Sequence, residues 1–310
     1  MWCPYLNHTM HHHAQQEALL STAELEQLQQ RVLHRRPHQS RPLDTPYAGV
    51  FNSLHRGHGM ELHDVRPYQP GDDIRHMDWR ATARSGKATS KVFLAERQRS
   101  LFLVIDRRPS MQFGSRVELK ATTAARCAAL LAFAALATRE RVAGVVLDNE
   151  AQFFSSSQTL EGTLPLLQAA AAPLKTSAPS TPLVLNALFE KISHAAERGS
   201  SLMFISDLHD IEERDQPALL DIASRFDAMA LHIIDPAEEK LDACGKIRVI
   251  SPVSGNSHII DTNNAALRAA YAETMQQRRR TLTQLCRRSQ LPLHPLYNHR
   301  NTLQQLTQLP

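Results

Sequence analysis

From residue 100 onward, short apolar runs alternate with longer helical patterns, and this alternation limits the possible folds more than any other feature. The runs predicted as strands are Leu101–Ile105, Arg141–Leu147, Ser201–Ile205, Met229–Ile234, Ile247–Ile250 and Leu293–Leu296. The segments with helical periodicity are Val117–Thr138, Leu160–Ala171, Leu183–Arg198, Pro217–Phe226 and Asn264–Arg288. Continuous apolar strands separated by helices are typical of a parallel sheet that is covered on both faces. The sequence therefore predicts an α/β fold with a doubly wound, mainly parallel sheet.

The chain before residue 100 has a different pattern. Residues 14–34 predict a helix, because Ser21 and Glu24 have the spacing of a capping box and leucines recur at helical intervals. Between residues 48 and 97, short alternating runs broken by glycine and proline predict a small β-rich region. We therefore divide the chain into an N-terminal helix with a basic linker (1–47), a β-rich region (48–99) and an α/β domain (100–310).

Composition narrows the class and location of the protein. The 35 Lys and Arg residues exceed the 31 Asp and Glu residues by 4, and this small excess over 310 residues does not indicate nucleic-acid binding. The longest uncharged apolar run, Cys127–Ala137, is too short to cross a bilayer, and the N-terminus lacks the features of a signal peptide. The 4 cysteines form no CxxC pair, as is typical of reduced proteins. We expect a cytoplasmic protein without a membrane span.

Aspartates follow four of the predicted strands. They are Asp106, Asp148, Asp207 and Asp235. Ligand sites of open α/β sheets lie beyond the carboxyl ends of the strands, and several carboxylates there suit Mg²⁺ or Ca²⁺. For Asp148 and Asp235 we favour the ordinary role of a helix cap or turn residue.

Two stretches of the chain carry a resemblance to a known family. Glu61–Gly86 reads ELHDVRPYQPGDDIRHMDWRATARSG, and the predicted strand Leu101–Ile105 is followed by DRRPSM. The first stretch closely resembles the signature of the DUF58 family, whose members contain a von Willebrand factor A-like domain. The resemblance extends from about Val50 to beyond Asp207. It implies a von Willebrand A-like sheet and a partnership with a MoxR-type AAA+ ATPase in a chaperone-like or assembly system.

The resemblance also implies a metal site. A von Willebrand A domain binds its ion through Asp-x-Ser-x-Ser after the first strand, a threonine in a later loop and an aspartate after another strand. The matching residues are Asp106, Ser110, Thr181 and Asp207. Arg108 replaces the middle serine, and its guanidinium would repel Mg²⁺ and can pair with a carboxylate. We expect a degenerate site in which this arginine stands in for the metal, or else an outward arginine beside a weak Mg²⁺ site.

The signature segment is dense in arginine, carboxylate and aromatic residues. Its candidate residues are Arg66, Tyr68, Gly71, Asp72, Asp73, Arg75, Asp78, Trp79, Arg80 and Arg84. One interpretation is a hydrogen-bonded network that holds the β-rich region against the α/β core. The other is a docking surface, because Trp, Tyr and Arg dominate interface hot spots. The acids offset the bases locally, which disfavours nucleic acid as a partner.

These patterns favour a non-enzymatic interaction module that acts as an adaptor for an AAA+ ATPase, since no pair of catalytic base and nucleophile is evident. The sequence does not indicate its other clients. The alternative is a PIN-type nuclease, in which strand-end aspartates hold two metal ions that activate water. The basic isoelectric point of the chain, about 9.0, suits a nucleic-acid substrate, but a nuclease leaves the long signature unexplained. A purely structural scaffold is the third hypothesis.

Overall fold

The structure is a computed structural model of the 310-residue chain. It describes residues 18–34, 64–67, 77, 79–92, 100–174, 185–250 and 256–309. The chain separates into two compact units, of which the smaller comprises His55–Gln98 and the larger comprises Met1–Leu54 with Arg99–Pro310. The N-terminal helix therefore belongs to the large unit.

The N-terminal helix, α1 (Thr22–His34), begins with the capping box that the sequence predicts. The Ser21 hydroxyl accepts a hydrogen bond from the Glu24 backbone N–H at 3.2 Å, and the Glu24 carboxylate accepts one from the Ser21 backbone N–H at 2.8 Å. These bonds satisfy two backbone donors at the helix start. Leu25 and Val32 lie on the buried face of the helix and join the main hydrophobic core.

In the small unit, β1 (Asp64–Pro67) is followed by α2 (Trp79–Ser85) and β2 (Thr89–Val92). The two strands pair antiparallel, with Asp64 opposite Val92. Both strands lie within the region that the sequence predicts to be β-rich. The helix between the strands was not predicted, although Ala and Arg within it are good helix formers.

The large unit contains the rest of the regular structure. In chain order its elements are β3 (Ser100–Asp106), α3 (Lys120–Ala137), β4 (Arg141–Leu147), β5 (Ala151–Ser157), α4 (Leu160–Ala171), α5 (Leu185–Ala195), β6 (Ser201–Ser206), α6 (Gln216–Arg225), β7 (Asp227–Ile234), β8 (Lys246–Ile250), β9 (Ser257–Asp261), α7 (Ala265–Arg288), β10 (Leu293–Tyr297) and α8 (Thr302–Thr307). Six strands form one sheet in the order β10-β7-β6-β3-β4-β5. Every pair is parallel except β4 with β5. This confirms the predicted α/β class and the mainly parallel sheet.

Helices cover both faces of the sheet. Leu103 of β3 belongs to the core formed with α1, α3, α4 and α8, whereas its neighbours Phe102 and Val104 belong to the opposite core with α5, α6 and α7. Because successive side chains of a strand point to opposite faces, a continuous apolar strand supplies both cores. Helix α3 is long and apolar enough to cross a membrane, but 78% of it is buried inside this unit.

Several elements of the large unit differ from the sequence prediction, among them the strands β5 and β8. Strand β5 was missed because it is a half-exposed edge strand with the polar sequence AQFFSSS. Strand β8 was expected in the sheet, but it pairs with β9 as a separate antiparallel hairpin, with Lys246 opposite Asp261. Hairpin residues Ile250 and Ile259 are 55% and 67% exposed, so an apolar run here does not indicate a buried strand.

Candidate functional site

The candidate site lies at the point of the sheet where successive strands are added first on one side of β3 and then on the other. Strand β3 is central, and the chain continues to β4 on one side but later places β6 on the other side. Parallel strands that diverge in this way leave a crevice beyond their carboxyl ends, where ligands of open α/β sheets bind. Asp106 is the last residue of β3, and Asp207 directly follows β6, so both carboxylates belong to this edge.

Asp106 is completely buried and is bound by the arginine two residues later. Its Oδ1 accepts hydrogen bonds from the Arg108 backbone N–H and from Arg108 Nε, both at 3.0 Å. Its Oδ2 accepts from Arg108 Nη2 at 2.8 Å and from the Ser206 hydroxyl at 2.6 Å. The guanidinium therefore binds the carboxylate through two parallel hydrogen bonds, from Nε and Nη2, and this bidentate geometry is the strongest for an arginine–carboxylate pair.

Burial works against the charge of Arg108, but the carboxylates of Asp106, Asp210 and Asp207 together more than offset this and raise the pKa of the guanidinium. The arginine is folded back over Asp106 and only 12% of its side chain is exposed. Its remaining terminal nitrogen, Nη1, donates to Asp210 Oδ2, and the Asp210 side chain is 48% exposed. Arg108 is thus held between one buried carboxylate and one near the surface.

Arg107, the adjacent arginine, has a different role. Its Nη2 donates to the carbonyl oxygens of Ala172 and Pro173 at 2.8 and 2.9 Å, just beyond the end of α4. Burial lowers the pKa of this guanidinium, and Asp148, 4.0 Å away, acts in the opposite direction. Arg107 therefore binds the carbonyls that follow a helix, while Arg108 belongs to the candidate site.

Asp207 is held by a second internal cation. Its Oδ2 accepts a hydrogen bond from Lys120 Nζ at 2.8 Å, and the same ammonium also donates to Glu238. The other oxygen, Oδ1, accepts from the His209 backbone N–H at 3.1 Å and from the Ser110 hydroxyl at 3.3 Å. The lysine side chain is only 1% exposed, so the ion pair is shielded from water.

The charges of this cluster depend on one another. Burial alone would raise the pKa of Asp207, but the Lys120 ammonium overcomes that effect and lowers the pKa. Burial likewise opposes the lysine charge, and Asp207 with Glu238 raises the Lys120 pKa in spite of it. For Glu238 burial dominates, so its pKa is raised despite the nearby lysine. The Lys120–Asp207 pair is therefore ionised at neutral pH.

Sequence reasoning missed Lys120, although the chain contained a signal. Lys120 is the first residue of α3. A positive charge at a helix N-terminus is unfavourable because it faces the positive end of the helix dipole. A lysine in that position, at the start of an apolar helix, therefore indicates an acidic partner elsewhere in the fold.

The Mg²⁺ site implied by the resemblance does not fit this arrangement. Asp106 is bound by a guanidinium and Asp207 by an ammonium, so an ion would have to displace a cation from each carboxylate. Ser110 lies beside Asp207, whereas Thr181 falls outside the described residues.

The other two strand-end aspartates are cap and turn residues, as expected. Asp235 accepts a hydrogen bond from the Ala237 backbone N–H at 2.9 Å and so begins the short 3₁₀ helix Pro236–Glu238. Asp148 accepts from the Asn149 backbone N–H at 3.1 Å. The Asp235 backbone N–H donates at 3.0 Å to Glu238, which binds Lys120, so Asp235 meets the cluster through its backbone and not through its carboxylate.

A groove of about 900 Å³ lies beside Asp207, between the ends of β6 and β7 and one face of α7. Asp207, His209, His232, Tyr271 and Arg278 are among the residues that line it. Burial lowers the pKa of His232 to about 4, so this imidazole is neutral at pH 7. The groove therefore combines neutral, apolar and charged groups next to the candidate site.

Comparison with known families identifies the chain. The family described as "Protein of unknown function DUF58" matches residues 64–281, which include both aspartates and both cations of the candidate site. The chain belongs to the DUF58 family. This confirms the resemblance inferred from the signature segment.

Two mycobacterial proteins are similar to most of the chain, and a Bacillus protein is similar to a shorter part of it. The uncharacterized protein Rv1480 of Mycobacterium tuberculosis and the uncharacterized protein Mb1516 of Mycobacterium bovis are each 26% identical over 263 residues, covering 84% of this chain and 82% of theirs. The uncharacterized protein YeaD of Bacillus subtilis is 37% identical over 76 residues, covering 24% of this chain and 19% of its own.

Among solved structures, the conserved hypothetical protein BatB from Bacteroides thetaiotaomicron matches with a TM-score of 0.41 and 10% identity, covering 68% of this chain and 96% of that chain. An aerotolerance-related membrane protein from Bacteroides fragilis matches with the same TM-score and 11% identity, with the same coverage of both chains. At these TM-scores and identities, both structures are only distantly similar to the DUF58 chain.

The residues of the DUF58 signature are only partly described. Trp79 and Arg84 lie in α2 and are exposed, the tryptophan by 63%. For Arg66 and Arg80 the structure describes the backbone alone. The remaining signature residues lie outside the described residues, and they are Tyr68, Gly71, Asp72, Asp73, Arg75 and Asp78. The exposed tryptophan is of the residue type expected in a docking surface.

Proposed function

We propose that this DUF58 protein is a non-enzymatic interaction module that works in the cytoplasm with a MoxR-type AAA+ ATPase. It binds its partner at the carboxyl edge of a von Willebrand A-like sheet, where a partner carboxylate is received by Arg108. The observation that supports the proposal is the forked pair between Arg108 and Asp106, because Asp106 is the aspartate that the resemblance assigns to the ion.

A bound Mg²⁺ ion and a fixed guanidinium can both receive a carboxylate of a partner. In a metal-dependent von Willebrand A site, an acidic side chain of the partner completes the coordination of Mg²⁺. A guanidinium also binds carboxylates, through directed hydrogen bonds instead of coordination. Because Asp106 already neutralises part of its charge and fixes its orientation, Arg108 is a pre-organised receptor for a second carboxylate.

The same contacts argue against a hydrolytic role. A nuclease of the PIN type needs carboxylates that are free to hold two metal ions. Here Asp106 and Asp207 are each committed to an internal cation, and Lys120 is shared with Glu238. Because each aspartate is paired with an internal cation, neither is free to act as a metal ligand or as a proton acceptor.

The direct test is co-purification of the protein with the MoxR-type ATPase of the same organism. The affinity is measured with the ATPase free of nucleotide, in the presence and absence of EDTA, and again with a non-hydrolysable ATP analogue and Mg²⁺. The variants are Arg108→Ala and a matched control, Arg116→Ala, whose arginine is 48% exposed and pairs with Asp242. Folding of each variant is checked by circular dichroism.

We expect wild-type binding to survive EDTA. Arg108→Ala should weaken binding by about 1.5–3 kcal/mol, the value of a charge-assisted hydrogen bond, while Arg116→Ala has little effect. Absence of association in every nucleotide state would refute the partnership. Binding that disappears on chelation, together with a neutral Arg108→Ala, would refute the role of the arginine.

A further inference from the structure

The terminal nitrogen of Arg108 that is not bonded to Asp106 already binds a carboxylate of the same chain, that of Asp210. Nη1 donates to Asp210, while Nε and Nη2 are used by Asp106. The two carboxylates differ greatly in exposure, because Asp106 is fully buried and the Asp210 side chain is 48% exposed. Asp210 is therefore the partner of Arg108 that faces solvent.

The loop that carries Asp210 is fixed at several points. The Ser206 hydroxyl accepts the Leu208 backbone N–H at 2.9 Å, and Leu208 adopts a left-handed backbone with φ of 51°. Arg278 of α7 donates to the His209 carbonyl oxygen at 2.6 Å. A non-glycine residue in the left-handed region persists only where its surroundings hold it. The loop thus holds Asp210 against the guanidinium.

We infer that Asp210 is an internal competitor, which occupies the position on Arg108 that an acidic side chain of a partner takes when it binds. The inference rests on the proposed function and adds the ligand class and its regulation. The ligand is an Asp or Glu side chain in a peptide segment. Its carboxylate replaces the Asp210 carboxylate as the acceptor of the hydrogen bond from Arg108 Nη1. The buried Asp106 bond stays in place during this exchange, because no solvent reaches that carboxylate.

The expected size of the competition follows from the exposure of Asp210. A partly exposed ion pair contributes modestly to binding because water screens it. Removing the Asp210 charge should therefore strengthen binding of an acidic peptide by about two- to fivefold. A larger effect is not expected, because Arg108 keeps its bonds to Asp106 in both states.

The test uses the full chain, labelled with ¹⁵N-arginine, and two blocked tripeptides, acetyl-Gly-Glu-Gly-amide and acetyl-Gly-Gln-Gly-amide. The Arg108 Nε–H resonance is assigned by its absence from Arg108→Lys, and its shift is followed in a millimolar titration. Asp210→Asn is compared with the wild type and with Glu213→Gln. The control removes the same charge from a nearby glutamate that is 74% exposed and pairs with Arg288.

We expect the glutamate peptide to shift the Arg108 resonance with a two- to fivefold lower Kd in Asp210→Asn, and Glu213→Gln to match the wild type. The glutamine peptide should cause no shift. Equal Kd values in Asp210→Asn and wild type, an equal gain in Glu213→Gln, or no shift in any variant would each overturn the inference.

The titration contains no ATPase, so a failed co-purification beside a positive titration would refute only the adaptor function. A negative titration beside Arg108-dependent ATPase binding would refute only the competitor.

Discussion

Replacing Lys120 by methionine should destabilise the large unit strongly. Methionine keeps the aliphatic part of the side chain and removes the ammonium, which is 1% exposed and bonds to Asp207 and Glu238. Removing one partner of a buried ion pair costs about 3–5 kcal/mol, because the other charge stays buried without compensation. Since a third of the Glu238 side chain is exposed, we expect a value of about 3 kcal/mol, at the lower end of that range.

The assay is urea unfolding followed by far-UV circular dichroism at pH 7. The matched control is Lys191→Met, which removes an exposed lysine of α5 and should change the free energy of unfolding by less than about 0.5 kcal/mol. The account would be refuted if Lys120→Met cost less than about 1 kcal/mol, since the lysine could not then be compensating buried carboxylates.

The pH dependence gives a second check with a defined sign. The Asp207 pKa is lowered on folding, so its contribution to stability is present above the ordinary aspartate pKa and is lost as pH falls through the folded value. The Lys120 pKa is raised, so its contribution is present below the ordinary lysine pKa and is lost as pH rises through the folded value. The difference between wild type and Lys120→Met should thus be largest between about pH 5 and 9 and shrink in acid.

Three further predictions concern the fold and the alternative function. A Cβ at Gly144 would lie 2.6 Å from the Leu103 carbonyl oxygen, so Gly144→Ala should lower the free energy of unfolding by about 1–3 kcal/mol in the same urea assay. Burial raises the pKa of the Cys127 thiol, so it should stay unreactive toward a disulfide reagent at pH 8 until urea opens the fold, as read by mass spectrometry. With Mg²⁺ or Mn²⁺ the protein should cleave neither DNA nor RNA. Cleavage that is lost in Asp106→Asn would establish the nuclease instead.

The parts of the fold that the sequence predicted well are those that are buried. Strand β4 and helix α4 have the predicted bounds, because their apolar patterns are set by burial against the core. Helix α7 begins beside its predicted start, where the Asn264 side chain accepts the backbone N–H groups of Ala266 and Leu267. The half-exposed strand β5 and the exposed strand β9 lack such a pattern, because neither contains a residue that is fully buried on folding.

Without the family resemblance, which groups Ser110 with the distant Asp207, the candidate site was predictable only where the signal is local in the sequence. Asp106 and Arg108 are two residues apart, so their pairing could be argued from the motif alone. Lys120 and Asp207 are 87 residues apart, and Asp210 lies 102 residues from its arginine. Their contacts depend on the order of strands in the sheet, which a single sequence does not fix.

The measurement that tests the central claim most directly is the binding of Mn²⁺, as a paramagnetic substitute for Mg²⁺, to wild type and Arg108→Ser. If the guanidinium takes the place of the ion at Asp106, wild type should show no specific binding up to millimolar Mn²⁺. Arg108→Ser restores the missing hydroxyl and should bind the ion at a site that Asp106→Asn abolishes. Saturable binding to wild type that is lost in Asp106→Asn, with no gain in Arg108→Ser, would contradict the account.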